Sequence, residues 1–576
     1  MRNAEVCAIF REMAAIMEIL GEDPYRIRAY QRAVQNIENL PEDIAVIAAR
    51  GELTKIPGVG KELARKIEEI LATGTLQKYE ELKRKVPPGL VELLRVPGIG
   101  PKTAKLLYEK LGVKSLAELE RLANEGKLKG LPGIGAKTEE NIRRGIALLR
   151  AVEERRPLGL VLPLARTVAN LLREKAPVER VELAGSIRRF KETVGDVDIL
   201  AASTRPEEVI KVFTTLPLVA EVLAQGPTKA SVRTGDGLQI DLRVVPPESY
   251  GAALCYFTGS KAHNIRVREL AVKKGLKVNE YGVFRGEERI AGATEEEVYA
   301  ALGLPYIPPE IREDWGEIEA ALEGRLPVLV ELGDIKGDFH VHSKYSDGAA
   351  TLEEIAAEAR RLGLEWVAVC DHSPALKVAG GLDVPTLLKK KEAIERFNAQ
   401  SPDVKLLCGA EVDILLDGRL DYPDEILAQL DVVVAAIHTG LRQSKEVQTK
   451  RLLAAIANPY VHAIAHPTGR LLGEREAYEL DLEAIFTAAA RTGTWLEINA
   501  YYKRLDLNDI NARAAAARGV KLTIGTDAHL LEQMEFLELG VGVARRAWLT
   551  REQVINTLSY EELLARLRAK KKSIGV

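Results

Sequence analysis

Hydrophobic and polar positions fall into three regimes along the chain. Residues 1–150 read as all-helical, with long runs of Glu, Ala, Leu, Lys and Arg punctuated by Gly and Pro. Residues 151–255 alternate apolar strand-like runs (VERVELAG, VDILAAS, LQIDLRVV) with helices. From about residue 337 seven strand-like runs alternate with helices: GDFHVH, EWVAVCDH, VKLLCGAEVD, VVVAAIHT, HAIAHP, TWLEINA and VKLTIGTDAH. Each ends in or beside His, Asp, Glu or Asn. Alternating β and α predicts parallel strands, and polar chemistry at every strand's C-terminal end predicts a barrel. Between these regimes, Pro305, Pro308 and Pro309 stiffen the exit from residues 256–315, and a Glu-rich segment over 316–336 reads as a linker.

In the helical region one punctuation recurs: KIPGVGKELARKI, RVPGIGPKTAKLL and GLPGIGAKTEENI. Each copy sets Pro-Gly-x-Gly before a helix start, with glycines at Gly58 and Gly60, Gly98 and Gly100, and Gly133 and Gly135. Lys61, Lys102 and Lys137 follow closely. The glycines permit a tight turn, and the helix N-terminus after it offers free N–H groups to a phosphate. This pattern resembles the helix-hairpin-helix module, which holds the DNA backbone without reading sequence.

The chemistry of the middle region is concentrated in Ala184–Asp198, AGSIRRFKETVGDVD. In a strand, residues two apart share a face, so Asp196 and Asp198 point out together while Val197 and Ile199 face the core. Asp241, in QIDLRVV, brings a third carboxylate on another strand. Hard oxygen ligands without Cys or His suit magnesium, and three aspartates on adjacent strands can clamp two ions. Gly185 lets backbone approach a phosphate, Ser186 offers a hydroxyl, and Arg189 offers a fork of donors that matches phosphate oxygens. Gly195 precedes the aspartate pair. Arg243 shares the strand face of Asp241, either to orient the carboxylates or as a solvated edge residue.

Composition changes the picture at two points. The net charge of −3 over 576 residues does not announce a nucleic-acid binder, so such binding must come from local sites. Seven of the eight histidines lie at or beyond residue 340, which points to a second chemistry there. The four cysteines are scattered, with no CxxC, as expected in a reducing, cytoplasmic setting. The first helix is broken by charge and reads as amphipathic rather than as a signal peptide, and no apolar run is long enough to span a bilayer.

Gly-Ser, Arg189, Asp-x-Asp and Asp241 together resemble the nucleotidyltransferase superfamily, and specifically DNA polymerase family X. The resemblance implies a palm over 151–255 and a thumb over 256–315. In LCYFTGSKAHNIRVREL it assigns Tyr256, Phe257 and Gly259 to the sugar and base of the incoming nucleotide, and Asn264 to the minor-groove edge of that base. Lys261 stands where polymerase beta has an acidic residue, and could reach the nucleotide. DPYRIRAYQRAVQNI with the first hairpin resembles the N-terminal domain of polymerase beta. Lys66 matches its Schiff-base lysine, but Glu62 replaces a helper lysine and Arg26 matches another basic position, so a DNA-phosphate contact is favoured for Lys66 over lyase chemistry.

The run HVHSKYSDG, CDHS, GAEVD, IHTG, AHPTG and GTDAH resembles the polymerase and histidinol phosphatase (PHP) family of phosphoesterases. The resemblance implies a distorted (β/α)7 barrel over 337–576. It implies one metal at His340, His342, Glu411 and Asp527, a second at Glu411, His438 and His466, and a third at Asp347, His372 and His529. Imidazole-rich sites favour manganese, zinc or iron, and a metal-bound hydroxide would attack a phosphate ester. His462 reads as a core residue. The whole chain resembles the PHP-bearing bacterial type of family X polymerase.

The expectation is a multidomain chain: a DNA-binding helical piece at 1–84, fingers with two hairpins at 85–150, an α/β palm and thumb, a linker and the barrel. It would be a monomer that fills gapped or nicked DNA from dNTPs with two magnesium ions, and would process 3′ ends with three transition-metal ions. Rival readings are a template-independent nucleotidyltransferase, a scaffold whose sites no longer turn over, and a small-metabolite phosphatase. Extension of gapped against single-stranded DNA, metal content, and histidinol phosphate turnover discriminate them.

Overall fold

The computed structural model describes residues 3–38, 44–56, 58–94, 96, 99–401 and 403–572. Gly98 of the second hairpin lies outside them. The N-terminal region is helical as predicted, and one apolar core runs from Val6 to Ile146, uninterrupted near residue 84. A helix follows each of the three hairpin motifs: α1 (Lys61–Thr73), α2 (Pro101–Leu111) and α3 (Ala136–Glu154).

The middle region opens with helix α4 (Leu158–Lys175), followed by the short helix α5 (Gly185–Arg188) and a five-stranded sheet. In chain order its strands are β1 (Arg180–Leu183), β2 (Asp196–Ala202), β3 (Val219–Gln225), β4 (Lys229–Thr234) and β5 (Gln239–Val245). Their spatial order is β1-β2-β5-β4-β3. β2 and β5 are parallel neighbours, and their register sets Asp198 beside Asp241. Val197, Ile199, Ile240 and Leu242 turn into the core, so the alternation that buries them delivers the aspartates to the other face. Helices α6 (Tyr250–Thr258) and α7 (Lys261–Lys273) and a small antiparallel sheet of β6 (Lys277–Asn279), β7 (Gly282–Arg285) and β8 (Glu288–Ala291) follow.

All seven predicted C-terminal strands form: β9 (Gly337–Val341), β10 (Trp366–Val369), β11 (Lys405–Asp413), β12 (Val432–Ala436), β13 (Ala463–Ile464), β14 (Trp495–Asn499) and β15 (Leu522–Gly525). They are parallel and in sequential order. Nearly every strand residue is buried, as continuous apolar runs in a helix-wrapped parallel sheet require. The first and last strands meet beyond β15, where the Asp527 N–H donates to the His340 carbonyl at 2.8 Å and the His342 N–H to the Ala528 carbonyl at 2.9 Å. The nearly closed barrel thus has polar strand ends gathered at one mouth.

The palm docks on this barrel. A Cβ at Gly159 of α4 would lie 2.4 Å from Tyr502 Cβ, so the backbones meet there without room for a side chain. Arg166 pairs with Glu538, and Arg470 reaches Glu192 at 2.7 Å.

Candidate metal centres and DNA contacts

The palm brings Asp196, Asp198 and Asp241 together, with one oxygen of each within 4.8 Å of the others. Burial, then repulsion from Asp196 and Asp241, pushes Asp198 up to about 7. A carboxylate whose proton affinity is raised by burial and by two neighbouring carboxylates is a site for positive charge. Asp241 is fixed by the Ser231 hydroxyl and by Gln239 Nε2, which donates at 3.1 Å. Gly185 has φ +61, and a Cβ there would sit 2.2 Å from Asp198 Oδ2, so only glycine lets this turn lie against the carboxylate. Ser186 follows in the first turn of α5, and the half-buried Gly195 leads directly into β2.

Arg189 Nε meets Glu313 Oε1 at 3.0 Å, and its Nη1 donates to the Thr258 carbonyl beside Gly259. Arg188, in contrast, forks onto Glu295 at 2.6 and 2.9 Å and is a strut between palm and thumb. Tyr256 and Phe257 stand edge to face at the end of α6, with ring centroids 5.1 Å apart. Asn264 Nδ2 donates to the Tyr256 carbonyl at 2.7 Å, and Lys261 is exposed at the start of α7. Asp198, Asp241, Lys229, Arg243 and Phe257 line a cavity of about 80 Å³. Arg243 does not orient a carboxylate: its guanidinium lies 4.8 Å from the Phe257 ring centre, and no ion pair joins it to Asp241 among the described residues. Attraction to the ring face competes with the aspartate and wins.

The hairpin helices share one geometry. Gly60 and Gly100 cap α1 and α2 in extended conformation and have no side chain to cap the free N–H groups. The first helical bonds run from Ala64, Ala104 and Glu139 back to Gly60, Gly100 and Gly135. Gly58 and Gly133 sit at φ +78 and +81, and Lys61, Lys102 and Lys137 are exposed. Lys66 is not the exposed DNA-phosphate contact expected from the sequence: it is buried, and its ammonium donates to Tyr30 Oη at 2.7 Å and Glu62 Oε1 at 2.5 Å. Burial opposes its charge, but Glu62 and Tyr30 outweigh burial and hold the amine above its ordinary range. A Schiff-base nucleophile needs the neutral amine.

In the barrel all nine expected ligands converge. His340 Nε2 and His342 Nε2 lie 3.6 and 3.7 Å from Glu411 Oε2, and His342 Nε2 lies 3.1 Å from Asp527 Oδ1. His438 and His466 approach Glu411 Oε1 at 3.3 and 2.8 Å. His372 and His529 approach Asp347 Oδ2 at 3.5 and 3.3 Å. The ligand atoms that converge tightly enough for an ion form the sets His340–His342–Asp527, His372–Glu411–His438 and His342–Asp347–His372–His529, which overlap the expected groupings without reproducing them: His342 and His372 each join a second set, and His466 joins none. The fit to metal is carried by orphaned atoms: Glu411 Oε2 and His372 Nδ1 are buried and 2.9 Å apart, yet neither has a hydrogen bond. A fully buried carboxylate oxygen without a donor is costly unless a cation serves it. Burial, then His529 and His372, push His342 down to about 4; burial, then Arg504, push His466 down to about 3. At His372 and His438, by contrast, burial is outweighed by Glu411 and its neighbouring carboxylates, which raise the imidazoles to about 10 and about 9, so the neutral form that binds metal is favoured at His342 and His466 and not at those two. His466 and Asp527 also hold φ of +28 and +54, rare for residues with side chains and found where a site dictates the backbone.

A supporting shell was not read from the sequence. Glu497 Oε1 meets His340 Nδ1 at 2.8 Å, Asp413 Oδ1 meets His438 Nδ1 at 3.1 Å, and the Asp527 carbonyl meets His529 Nδ1 at 2.7 Å. Each leaves Nε2 turned inward. Arg504 and Asn499 brace Asp527 Oδ2 at 3.2 and 3.1 Å. Glu497 was findable, as a charge inside the apolar run TWLEINA. His462 is a core residue, as expected: its Nδ1 accepts from the Val433 N–H at 3.0 Å.

Hairpin helices, a carboxylate-lined palm and a histidine-rich barrel in one chain define a DNA-processing enzyme with two separate clusters of side chains that could hold metal ions. Family models match accordingly: a helix-hairpin-helix domain over 1–76, a SAM-like helix-hairpin-helix tandem over 90–147, the DNA polymerase beta thumb over 253–313 and the PHP domain over 338–501. The chain is 38% identical over 572 residues to the DNA polymerase/3′-5′ exonuclease PolX of Bacillus subtilis, covering 99% of this chain and 100% of that protein. It is 32% identical over 253 residues to a protein of Thermoanaerobacter sp. (strain X514) named a probable phosphatase, covering 41% of this chain and 96% of that one. To DNA polymerase lambda of Arabidopsis thaliana it is 29% identical over 346 residues, 54% of this chain and 62% of that one. The chain belongs to the PolX family, the family X DNA polymerases that carry a PHP domain.

Proposed function

We propose that this chain fills short gaps in DNA during base excision repair and that its barrel cleans 3′ ends for the palm. The observation that carries the reading is the pair of separate ligand clusters, one all carboxylate and one rich in imidazole. Two magnesium ions at the palm and three manganese, zinc or iron ions at the barrel, when bound, supply the positive charge and the activated nucleophile that phosphoryl transfer needs. In the palm, Asp196, Asp198 and Asp241 hold and orient, while Ser231 and Gln239 keep Asp241 in place. Ser186, Arg189 and Lys261 serve the triphosphate, Tyr256, Phe257 and Gly259 the sugar and base, and Asn264 the minor-groove edge. In the barrel Glu411 and the histidines around it would hold the ions, and Glu497 and Asp413 keep His340 and His438 in the ligating tautomer.

The division into pieces at 1–84, 85–150, 151–255, 256–315, 316–336 and 337–576 belongs to the same reading. So does a monomer acting in the bacterial cytoplasm and held at the nucleoid through gapped or nicked DNA. No described helix is long and apolar enough to cross a membrane. The test is one-nucleotide gap filling with dNTP and magnesium: templated addition supports the reading, and addition only to free single strands overturns it.

The hairpins serve the DNA backbone on this reading. Gly58→Val and Gly133→Val are expected to weaken binding to every duplex alike, because a β-branched residue resists the positive φ at each turn. Wild-type affinity should fall steeply with salt as phosphate contacts release counterions. Filter binding to duplexes of unrelated sequence checks this, and a loss confined to one sequence would indicate base readout instead.

A further inference from the structure

The segment that carries the palm's nucleotide residues is held from the barrel. Phe190, at φ +51, lays its ring against helix α8 (Leu537–Arg546), where a Cβ at Gly542 would lie 2.2 Å from Phe190 Cδ1. Arg546, 2% exposed, ends that helix. Its Nη1 donates to the Arg189 carbonyl at 2.8 Å and to Glu313 Oε1 at 2.9 Å. Its Nε donates to Asp509 Oδ2 at 2.8 Å, a carboxylate of the barrel. Glu313 Oε1 is the same oxygen that accepts Arg189 Nε at 3.0 Å. One carboxylate oxygen is therefore shared between a palm arginine and a barrel arginine, and Lys191 approaches it at 3.9 Å. Burial would raise the pKa of Glu313, but Arg189, Arg546 and Lys191 outweigh it and keep the group ionised.

The consequence for Arg189 is geometric. Its Nε and Nη1 are occupied by Glu313 and the Thr258 carbonyl, while its Nη2 has no hydrogen-bond partner among the described residues. A guanidinium fixed on one edge presents its remaining donors in a set direction, and a planar fork loses little further freedom on meeting a phosphate. We propose that Glu313, clamped by Arg546, is a positioning residue that sets Arg189 for the incoming nucleoside triphosphate, so that barrel helix α8 forms part of the polymerase's nucleotide site. This rests on the palm reading above, in which Arg189 serves the triphosphate. Arg545 and Glu310, paired at 2.7 Å one position away, brace the same seam.

The test is steady-state gap filling with magnesium by the full chain carrying Glu313→Gln, Arg546→Met or both. Glu313→Gln is expected to raise the KM for dNTP about tenfold with kcat and DNA affinity changed less than about twofold, since uniform triphosphate binding is lost. Arg546→Met should raise the same KM about fivefold, and the double variant should fall well short of the product of the two single effects, because Arg546 and Arg189 meet on one Glu313 carboxylate oxygen. Barrel 3′-end processing with manganese serves as the folding control; if Arg546→Met loses that too, Glu313→Gln decides alone. A dNTP KM within about twofold of wild type in Glu313→Gln, a lowered KM, or multiplicative effects in the double variant overturns the proposal. Failure of the palm reading itself looks different: the wild type would then add no nucleotide to a gap.

Discussion

Asp198→Ala is expected to lower nucleotide addition to a gapped duplex by about 10³-fold or more, while duplex affinity changes less than about twofold. The carboxylate lies in register with Asp241 and beside Gly185, at the centre of the three-aspartate cluster. Removing it takes away charge needed where positive ions and the triphosphate meet, and touches none of the hairpin helices. The same substitution relieves repulsion, since Asp198 is held at about 7 by burial and by its two neighbours. Thermal stability should therefore be unchanged or raised, which separates lost chemistry from lost fold. Single-turnover incorporation measures the effect, and a rate close to wild type would overturn the palm assignment.

Glu411→Gln is expected to lower manganese-supported 3′-end processing by about 10³-fold, with gap filling changed less than about threefold. Glu411 lies at the meeting point of five histidines, His340, His342, His372, His438 and His466. The amide keeps the shape but loses the charge that two cations would share. His342→Ala should behave similarly, because His342 reaches both Asp527 and the Asp347 grouping. Activity should respond to manganese more than magnesium, as imidazole ligands dictate. Unchanged 3′ processing in both variants with manganese present would make the barrel structural.

Most of both centres was legible because each ligand sits in a short motif on one strand end. HVH, CDH, GAEVD and GTDAH carry their chemistry locally, and a parallel barrel brings strand ends together whatever the details of packing. Asp196 and Asp198 were legible for the same reason, through the two-residue strand period. What escaped depends on register or on docking. Ser231 serves Asp241 because antiparallel pairing sets those two residues opposite each other, which no local pattern reveals. Gln239 was within reach, two residues before Asp241 on the same face. Arg243 turned to Phe257 because the ring arrives from α6, outside the strand. Glu313 and Arg546 meet Arg189 across chain separations that only tertiary structure closes. The docking of palm on barrel had no signal in composition or periodicity, since Gly159 and Gly542 look like ordinary helix glycines until the partner surface is seen.

The central claim is that two independent centres in one chain act on the same DNA 3′ end. Its most direct measurement is a gapped duplex whose primer carries a 3′-phosphate, incubated with dNTP, magnesium and manganese, scoring removal of the end group, 3′ shortening and extension. Wild type should clear the end and then extend it. Asp198→Ala should clear without extending, and Glu411→Gln should leave the blocked end while still extending a 3′-hydroxyl primer. Either substitution abolishing both steps, or neither substitution abolishing its own, would contradict the account.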